Sequence, residues 1–153
     1  MSKIYDVPAE AQTSSNTCWH TSSLMIWYYW QMVSGRQGPM NTLAGKWSAN
    51  SPVTISDFVS LAAKVGLAKV IERKSSYTAK NIENMLIRFG PLWCAGFWFG
   101  LGHIIVLTGI SGNEIYFNDP DGGIKKKGSV AWFNSKLSGE IDGCLMYKDS
   151  NAY

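Results

Sequence analysis

The sequence predicts an α+β fold, in which a helical first part packs on a C-terminal antiparallel β-sheet. Helix-like segments with capping residues stand between about residues 13 and 90, whereas short strand-like segments and turn sequences such as "SGN" and "DPDGG" fill about residues 91–148. Helices followed by a run of strands are typical of α+β domains. We expect residues 1–153 to form a single domain, because a chain of this length can bury a core of its own.

The first predicted helix covers residues 18–33, "CWHTSSLMIWYYWQMV", which are mostly apolar. Asn16 or Thr17 can cap its N-terminus, and Gly35 can end it. A segment of this length and composition is expected to be a buried central helix.

Two shorter helices are predicted next. Residues 56–65 stand before Gly66, which can stop a helix, and residues 79–89 follow Thr78, which can cap one. The stretch between the first two helices, residues 35–52, is predicted to be a long loop.

The second half of the chain reads as strands with one short helix. The predicted strands are residues 91–99, 103–110, 114–120, 123–127 and 143–148, preceded by a short strand at 68–71, and the short helix is residues 129–137. Residues 1–12 are expected to be extended and polar. The lysine run at residues 125–127 is interpreted as a solvated turn rather than a binding patch.

The apolar stretch at residues 93–110 has nearly the length of a membrane span. Four glycines and His103 interrupt it, so two buried strands joined at "GLG" are predicted instead, and no membrane partner. The N-terminus has no apolar core and does not resemble a secretory signal.

Composition and charge narrow the functional classes. With 46% hydrophobic and 16% charged residues the chain is of the folded globular type, and a net charge of +3 argues against a nucleic-acid partner. Three widely spaced cysteines and two histidines form no disulfide framework or metal-binding pattern. We therefore predict no metal or cofactor, and a compartment in which thiols stay reduced.

Cys18 is the candidate nucleophile. It stands in the first turn of the central helix, where the helix dipole favours a thiolate, although buried cysteines are also common as core residues. Its position alone leaves both interpretations open. Cys94 and Cys144 lie in predicted strands and are interpreted as core residues.

The base that such a cysteine needs is expected to be His103 rather than His20. Two residues along a helix is a rotation of about 200°, so His20 points away from Cys18. His103 begins a predicted strand and is the other histidine of the chain. A hairpin over residues 104–118 would bring Asp119 almost opposite His103, where it could orient the ring. Asn118 is the alternative orienter.

These residues carry a resemblance to a known family. Four motifs in this order carry the resemblance: "Q-x5-C-W" before an apolar helix, then "GPLW", "GHIIVLTGI" and "NDP". From Gln12 to about Trp132 the chain resembles the papain-like cysteine proteases, in particular the compact bacterial type of effectors and toxin domains. The resemblance implies a papain-like fold whose central helix carries the nucleophile. It also implies that Cys18 is the nucleophile, His103 the general base and acid, and Asp119 the third member of the triad. Gln12 would supply an oxyanion-hole donor beside the Cys18 amide.

The sequence also departs from the family pattern. "SSNT" replaces the usual glycine and second cysteine before the nucleophile, and His103 follows Cys18 by only 85 residues. Papain and its close relatives have about 130–150 residues in this interval. The cleft walls are therefore expected to be short, and the substrate preference cannot be transferred from papain.

The resemblance implies a cysteine endopeptidase with a protein substrate. A toxin or effector domain of this kind would be delivered from the producing bacterium, as part of or carried by a larger effector, and act in the cytoplasm of a target cell. A cognate immunity protein would restrain it in the producer, since the eleven residues before Gln12 are too few for a folded inhibitory propeptide.

Two other functions stay open at this stage. A cysteine amidase or deamidase, acting on peptidoglycan or on glutamine side chains, would use the same triad. A catalytically silent papain-like module would only bind its partner, although the presence of all four site residues argues against this.

Overall fold

The computed structural model describes residues 2–36, 53–149 and 151 of the chain. Its longest helix, α1, covers Cys18–Ser34. Thr17 is the N-cap residue, and Gly35 ends the helix with a left-handed φ of 68° that glycine adopts without strain. The predicted central helix is thereby confirmed, with Cys18 as its first residue.

Three shorter helices follow within the described residues. A 3₁₀ turn at Ile55–Asp57 leads into α2 at Phe58–Val65, so the helix predicted from residue 56 begins with a tighter turn. Helix α3 is Ala79–Phe89, as predicted, and its cap residue Thr78 accepts a hydrogen bond from the Asn81 amide. Helix α4 is Val130–Lys136.

The strands form one antiparallel sheet. Their bounds are Ser2–Ile4 (β1), Leu67–Lys69 (β2), Leu92–Gly96 (β3), His103–Ser111 (β4), Glu114–Asp119 (β5), Ile124–Ser129 (β6) and Leu145–Lys148 (β7). The order is β2-β7-β3-β4-β5-β6, and β1 pairs with the end of β4 that β3 leaves free. The α+β prediction is confirmed, with β1 as an additional strand in the segment that was expected only to be extended.

Helix α1 packs against β3 and β4, and hydrogen bonds fix its first turns there. The Trp93 indole donates to the Trp19 carbonyl (3.2 Å), and the buried Ser22 hydroxyl donates to the Ile104 carbonyl (3.3 Å). Because Trp19 follows Cys18 and Ile104 follows His103, these bonds hold the start of α1 beside the start of β4.

One element differs from its prediction in a way that matters for the site. The interpretation of the lysine run as a solvated turn is wrong. The run lies within β6, in agreement with the strand predicted over residues 123–127, and side chains alternate there between the two faces of the sheet. The predicted loop at residues 35–52 lies almost entirely outside the described residues. In the described part of the chain, no helix combines the length and apolar character that crossing a membrane requires.

Candidate active site

The β4–β5 hairpin brings His103 to Asp119. Val106 pairs with Asn118, so Asp119 lies one step further toward the start of β4. Asp119 is therefore a diagonal neighbour of His103, close to the almost opposite position that the sequence predicts. Diagonal neighbours on one face of a sheet are within reach of long or ring side chains.

The ring of His103 joins two groups. Its Nε2 lies 2.7 Å from Asp119 Oδ1, and the ring also hydrogen-bonds the Cys18 thiol. Burial disfavours the charged ring, but the hydrogen bonds and the negative charges of Asp119 and Cys18 outweigh burial and raise the pKa of His103 to about 9. The ring is therefore protonated at neutral pH.

Asp119 lies almost completely buried behind the histidine, with 2% of its side chain exposed. Burial alone would raise its pKa, but hydrogen bonds from His103, Lys126 and the Asp121 backbone N–H lower the pKa below its ordinary value. The Lys126 ammonium lies 2.8 Å from Oδ2, and the Asp121 amide donates to Oδ1 over 3.0 Å. The carboxylate is thus held on three sides.

Cys18 and His103 both line a cleft of about 360 Å³. The cleft walls are mainly apolar side chains and glycine backbone. They come from the start of α1, the 3₁₀ turn before α2, the β3–β4 connection and the segment after α4. The lining residues are Ser15, Asn16, Cys18, Trp19, Val53, Ile55, Phe58, Ala95, Gly96, Phe97, Gly102, His103, Ile104, Ser138 and Ile141. A somewhat larger surface pocket beside Arg73 and Tyr77 includes neither Cys18 nor His103, so the chemistry assigns the smaller cleft as the candidate site.

Of the four predicted site residues, Cys18 and His103 line this cleft. Asp119 lies buried behind His103, and Gln12 is not part of the lining either. Its Nε2 donates to the carbonyls of Ser14 (2.8 Å) and Ser15 (3.0 Å), which uses both amide protons, and its buried Oε1 has no partner. Its backbone N–H donates to the Pro120 carbonyl over 2.7 Å. Gln12 therefore ties the loop before Cys18 to the turn after Asp119, and its role as an oxyanion donor stays a prediction.

The alternative residues lie elsewhere. His20 packs its ring edge-on against Trp19, at 5.6 Å between centroids, and burial lowers its pKa. Asn118 points to the face opposite Asp119, where its amide donates to the Val7 carbonyl over 3.0 Å. The structure thus brings His103 and Asp119, rather than His20 and Asn118, to Cys18.

The two other cysteines are buried in the core. Burial raises the pKa of the Cys144 thiol to about 11 and that of the Cys94 thiol further still, which keeps both thiols protonated and unreactive. Among the described residues, no group of three or more histidine, cysteine or acidic side chains is placed to hold a metal ion.

Two residues near the site escaped the sequence interpretation. Asn16 was considered only as a helix cap, yet it lines the cleft close to Cys18. Lys126 was assigned to a solvated turn because a lysine run is typically exposed. The strand predicted over residues 123–127 carries the missing signal, because alternation along a strand places the middle lysine on the face opposite to its two neighbours.

Comparison with known proteins supports the expected fold and family. The family described as papain-like cysteine protease AvrRpt2 matches residues 1–138. No curated protein matches the chain. Among solved structures the chain is similar to a double glycine motif protease from an AMS/PCAT transporter in complex with the leader peptide. The two chains are 17% identical and superpose with a TM-score of 0.60, and the match covers 95% of this chain and 92% of that chain. The papain-like fold expected from the sequence is confirmed.

Proposed function

The chain belongs to the papain-like cysteine protease family, and on that premise we propose that it is an endopeptidase whose triad is Cys18, His103 and Asp119. The observation that carries this proposal is the position of the His103 ring, which bonds Asp119 on one side and the Cys18 thiol on the other at the wall of a cleft. Nucleophile, base and orienting group at hydrogen-bonding distances are the arrangement that acyl transfer requires.

The reaction follows from these positions. The Cys18 thiolate attacks the scissile carbonyl carbon, and the carbonyl electrons move to the oxygen. Collapse of this intermediate breaks the C–N bond, and protonated His103 gives its proton to the leaving amine. His103 then takes a proton from water as the water attacks the thioester carbonyl. Collapse of this second intermediate breaks the C–S bond, which releases the carboxylic acid and restores the Cys18 thiolate beside protonated His103.

The oxyanion needs donors, and the first is the backbone N–H of Cys18. It lies in the first turn of α1, where amides have no acceptor within their own helix. We propose Gln12 as the second donor. This role requires Gln12 to exchange its hydrogen bond to Ser14 or Ser15 for one to the substrate, which makes it directly testable.

We propose an extended segment of a protein as the substrate. The structurally similar double glycine protease is in complex with a leader peptide. The cleft lining of this chain includes Ile55 and Phe97, each more than half exposed, which offer apolar surface to an extended peptide. The resemblance to compact effector domains further supports a toxin or effector role. In that role the enzyme would be delivered from a bacterium into a target-cell cytoplasm and restrained in the producer by an immunity protein.

Proteomics of newly formed protein N-termini, after controlled expression in a bacterial host, tests the endopeptidase proposal. The enzyme should generate new N-termini that are absent with Cys18→Ala and present with Cys144→Ala, a matched control that removes a core thiol. A cut cell-wall peptide or the mass gain of deamidation would instead assign the amidase or deamidase alternative. New N-termini produced equally by Cys18→Ala would refute the proposed nucleophile.

Alkylation separates an enzyme from a silent binding module. Iodoacetamide should react with Cys18 far faster than with Cys94 and Cys144, because burial raises the pKa of the latter two. Mass spectrometry of labelled peptides measures the three rates. Equal rates, or no reaction at Cys18, would favour the binding module.

A further inference from the structure

The three consecutive lysines of β6 have different surroundings. Lys126 pairs across the sheet with Phe117 and extends its ammonium to Asp119 Oδ2, 2.8 Å away. Lys125 and Lys127 point to the other face, where each lies near an exposed carboxylate and is itself more than half exposed. Only the middle lysine of this run contacts the triad, and 34% of its side chain is exposed.

The contact completes the hydrogen bonding of Asp119. Oδ1 accepts from His103 and from the Asp121 backbone N–H, so Oδ2 is the oxygen left for Lys126. A carboxylate with both oxygens bonded cannot rotate without breaking a charge-assisted hydrogen bond. Lys126 therefore fixes the plane of Asp119, and through it the direction in which His103 is held.

The same ammonium lies over the ring of Phe99, 4.3 Å from its centroid. Phe99 in turn lies 6.0 Å from the His103 ring, and half of its surface is exposed. Lys126 thus contacts the β3–β4 connection by a cation–π interaction as well as Asp119 by an ion pair.

We propose that Lys126 is a positioning residue of this site: it holds Asp119 in place, and its positive charge limits how tightly Asp119 holds the proton on His103. The inference rests on the proposed function, because a general acid must release that proton to the leaving amine. An uncompensated buried carboxylate would stabilise the imidazolium further. With Lys126 present, part of that negative charge is balanced.

The charged and titratable side chains that act on Asp119 and His103 come from α1, β4, β5 and β6. His103 of β4 and Lys126 of β6 act on Asp119 of β5, and Asp119 together with Cys18 of α1 acts on His103. Lys126 is the cation of this set whose removal leaves the catalytic groups themselves intact.

The test is a titration of the His103 ring by NMR in the full chain, in a Cys18→Ala background that excludes thiol chemistry. Lys126→Met should raise the pKa of His103 by about one unit, because a positive charge one carboxylate away is removed. Lys126→Arg, which keeps the charge and the donors, should leave it near the starting value. Lys127→Met is the matched control: it removes the same charge from the adjacent residue and should have almost no effect.

Lys126→Gln keeps a donor for Asp119 without the charge, and it serves if Lys126→Met does not fold. The same upward shift is expected, and it should persist at high salt, which screens exposed charges more than partly buried ones. An unchanged or lower pKa of His103 in both variants, or an equal shift in Lys127→Met, would overturn the proposal. Because no substrate is used, this result is independent of whether the enzyme cleaves peptide bonds.

Discussion

Replacing Asp119 by asparagine should lower the pKa of His103 by about one to two units. The carboxylate accepts a charge-assisted hydrogen bond of 2.7 Å from the ring in a site where 2% of the Asp119 side chain is exposed. A hydrogen bond to a charged group contributes about 1.5–3 kcal/mol, and one pKa unit corresponds to about 1.4 kcal/mol. Asparagine keeps an acceptor for His103 but loses the negative charge, and its amide would face Lys126 with a donor.

Two-dimensional NMR of the imidazole signals measures this shift directly. The chain has two histidines, so the spectrum contains the His103 signal and that of His20, which serves as an internal control. The Asp119→Asn protein and its Asp119 reference both carry Cys18→Ala, which removes the effect of the thiol on the pKa of His103. In the reference, His103 should therefore titrate below the value of about 9 that it has beside Cys18.

If Asp119 only occupies space behind the ring, His103 titrates at the same pH with aspartate or asparagine. A shift of His20 equal to that of His103 would point to a general change in the fold. The charge of Asp119 is the cause only if His103 moves down and His20 stays.

Three further predictions follow from the same structure. Because the folded pKa of His103 is raised to about 9 from 6.5, the bonds of its protonated ring should stabilise the fold by about 3 kcal/mol below pH ~6.5, and this stabilisation should be lost as pH rises through about 9. Urea unfolding at several pH values measures the loss, and Asp119→Asn should make the free energy of unfolding depend less on pH. Parallel pH curves for the two proteins would contradict the prediction. Gln12→Ala should lower kcat on a cleaved peptide about 10²–10³-fold, while the rate at which iodoacetamide alkylates Cys18 stays unchanged. A loss of kcat smaller than tenfold would mean that Gln12 only holds the loop before Cys18 in place. Gly96→Ala should cost about 1–3 kcal/mol in urea unfolding, because its Cβ would lie 2.6 Å from the last carbonyl of α4, whereas Gly102→Ala meets nothing within 4 Å and should be neutral.

Most of the architecture was accessible to sequence reasoning because its signals are local. Helix α1 begins at Cys18 and ends before Gly35, and α3 covers Ala79–Phe89, as capping residues and apolar runs predicted. The short strand β1 escaped, since Ser2–Ile4 lacks strand signals of its own and is a strand only because the end of β4 offers it a partner.

The candidate site was accessible to the same degree. Rotation along a helix excluded His20, and hairpin geometry joined His103 to Asp119, both from sequence positions. The hydrogen bonds of Gln12 were not accessible, because they depend on how residues 13–15 turn back toward its side chain.

By itself, the sequence determined which residue types stand at the helix start, the strand start and the hairpin end, and these are the proposed triad residues Cys18, His103 and Asp119. Only the tertiary structure decided what surrounds them. Lys126 contacts Asp119 because β6 pairs with β5 in one particular register, and shifting that register by one residue would turn Lys126 to the other face. Pairing between strands depends on the packing of the whole sheet, so the charge that balances Asp119 is a property of the fold rather than of a local motif.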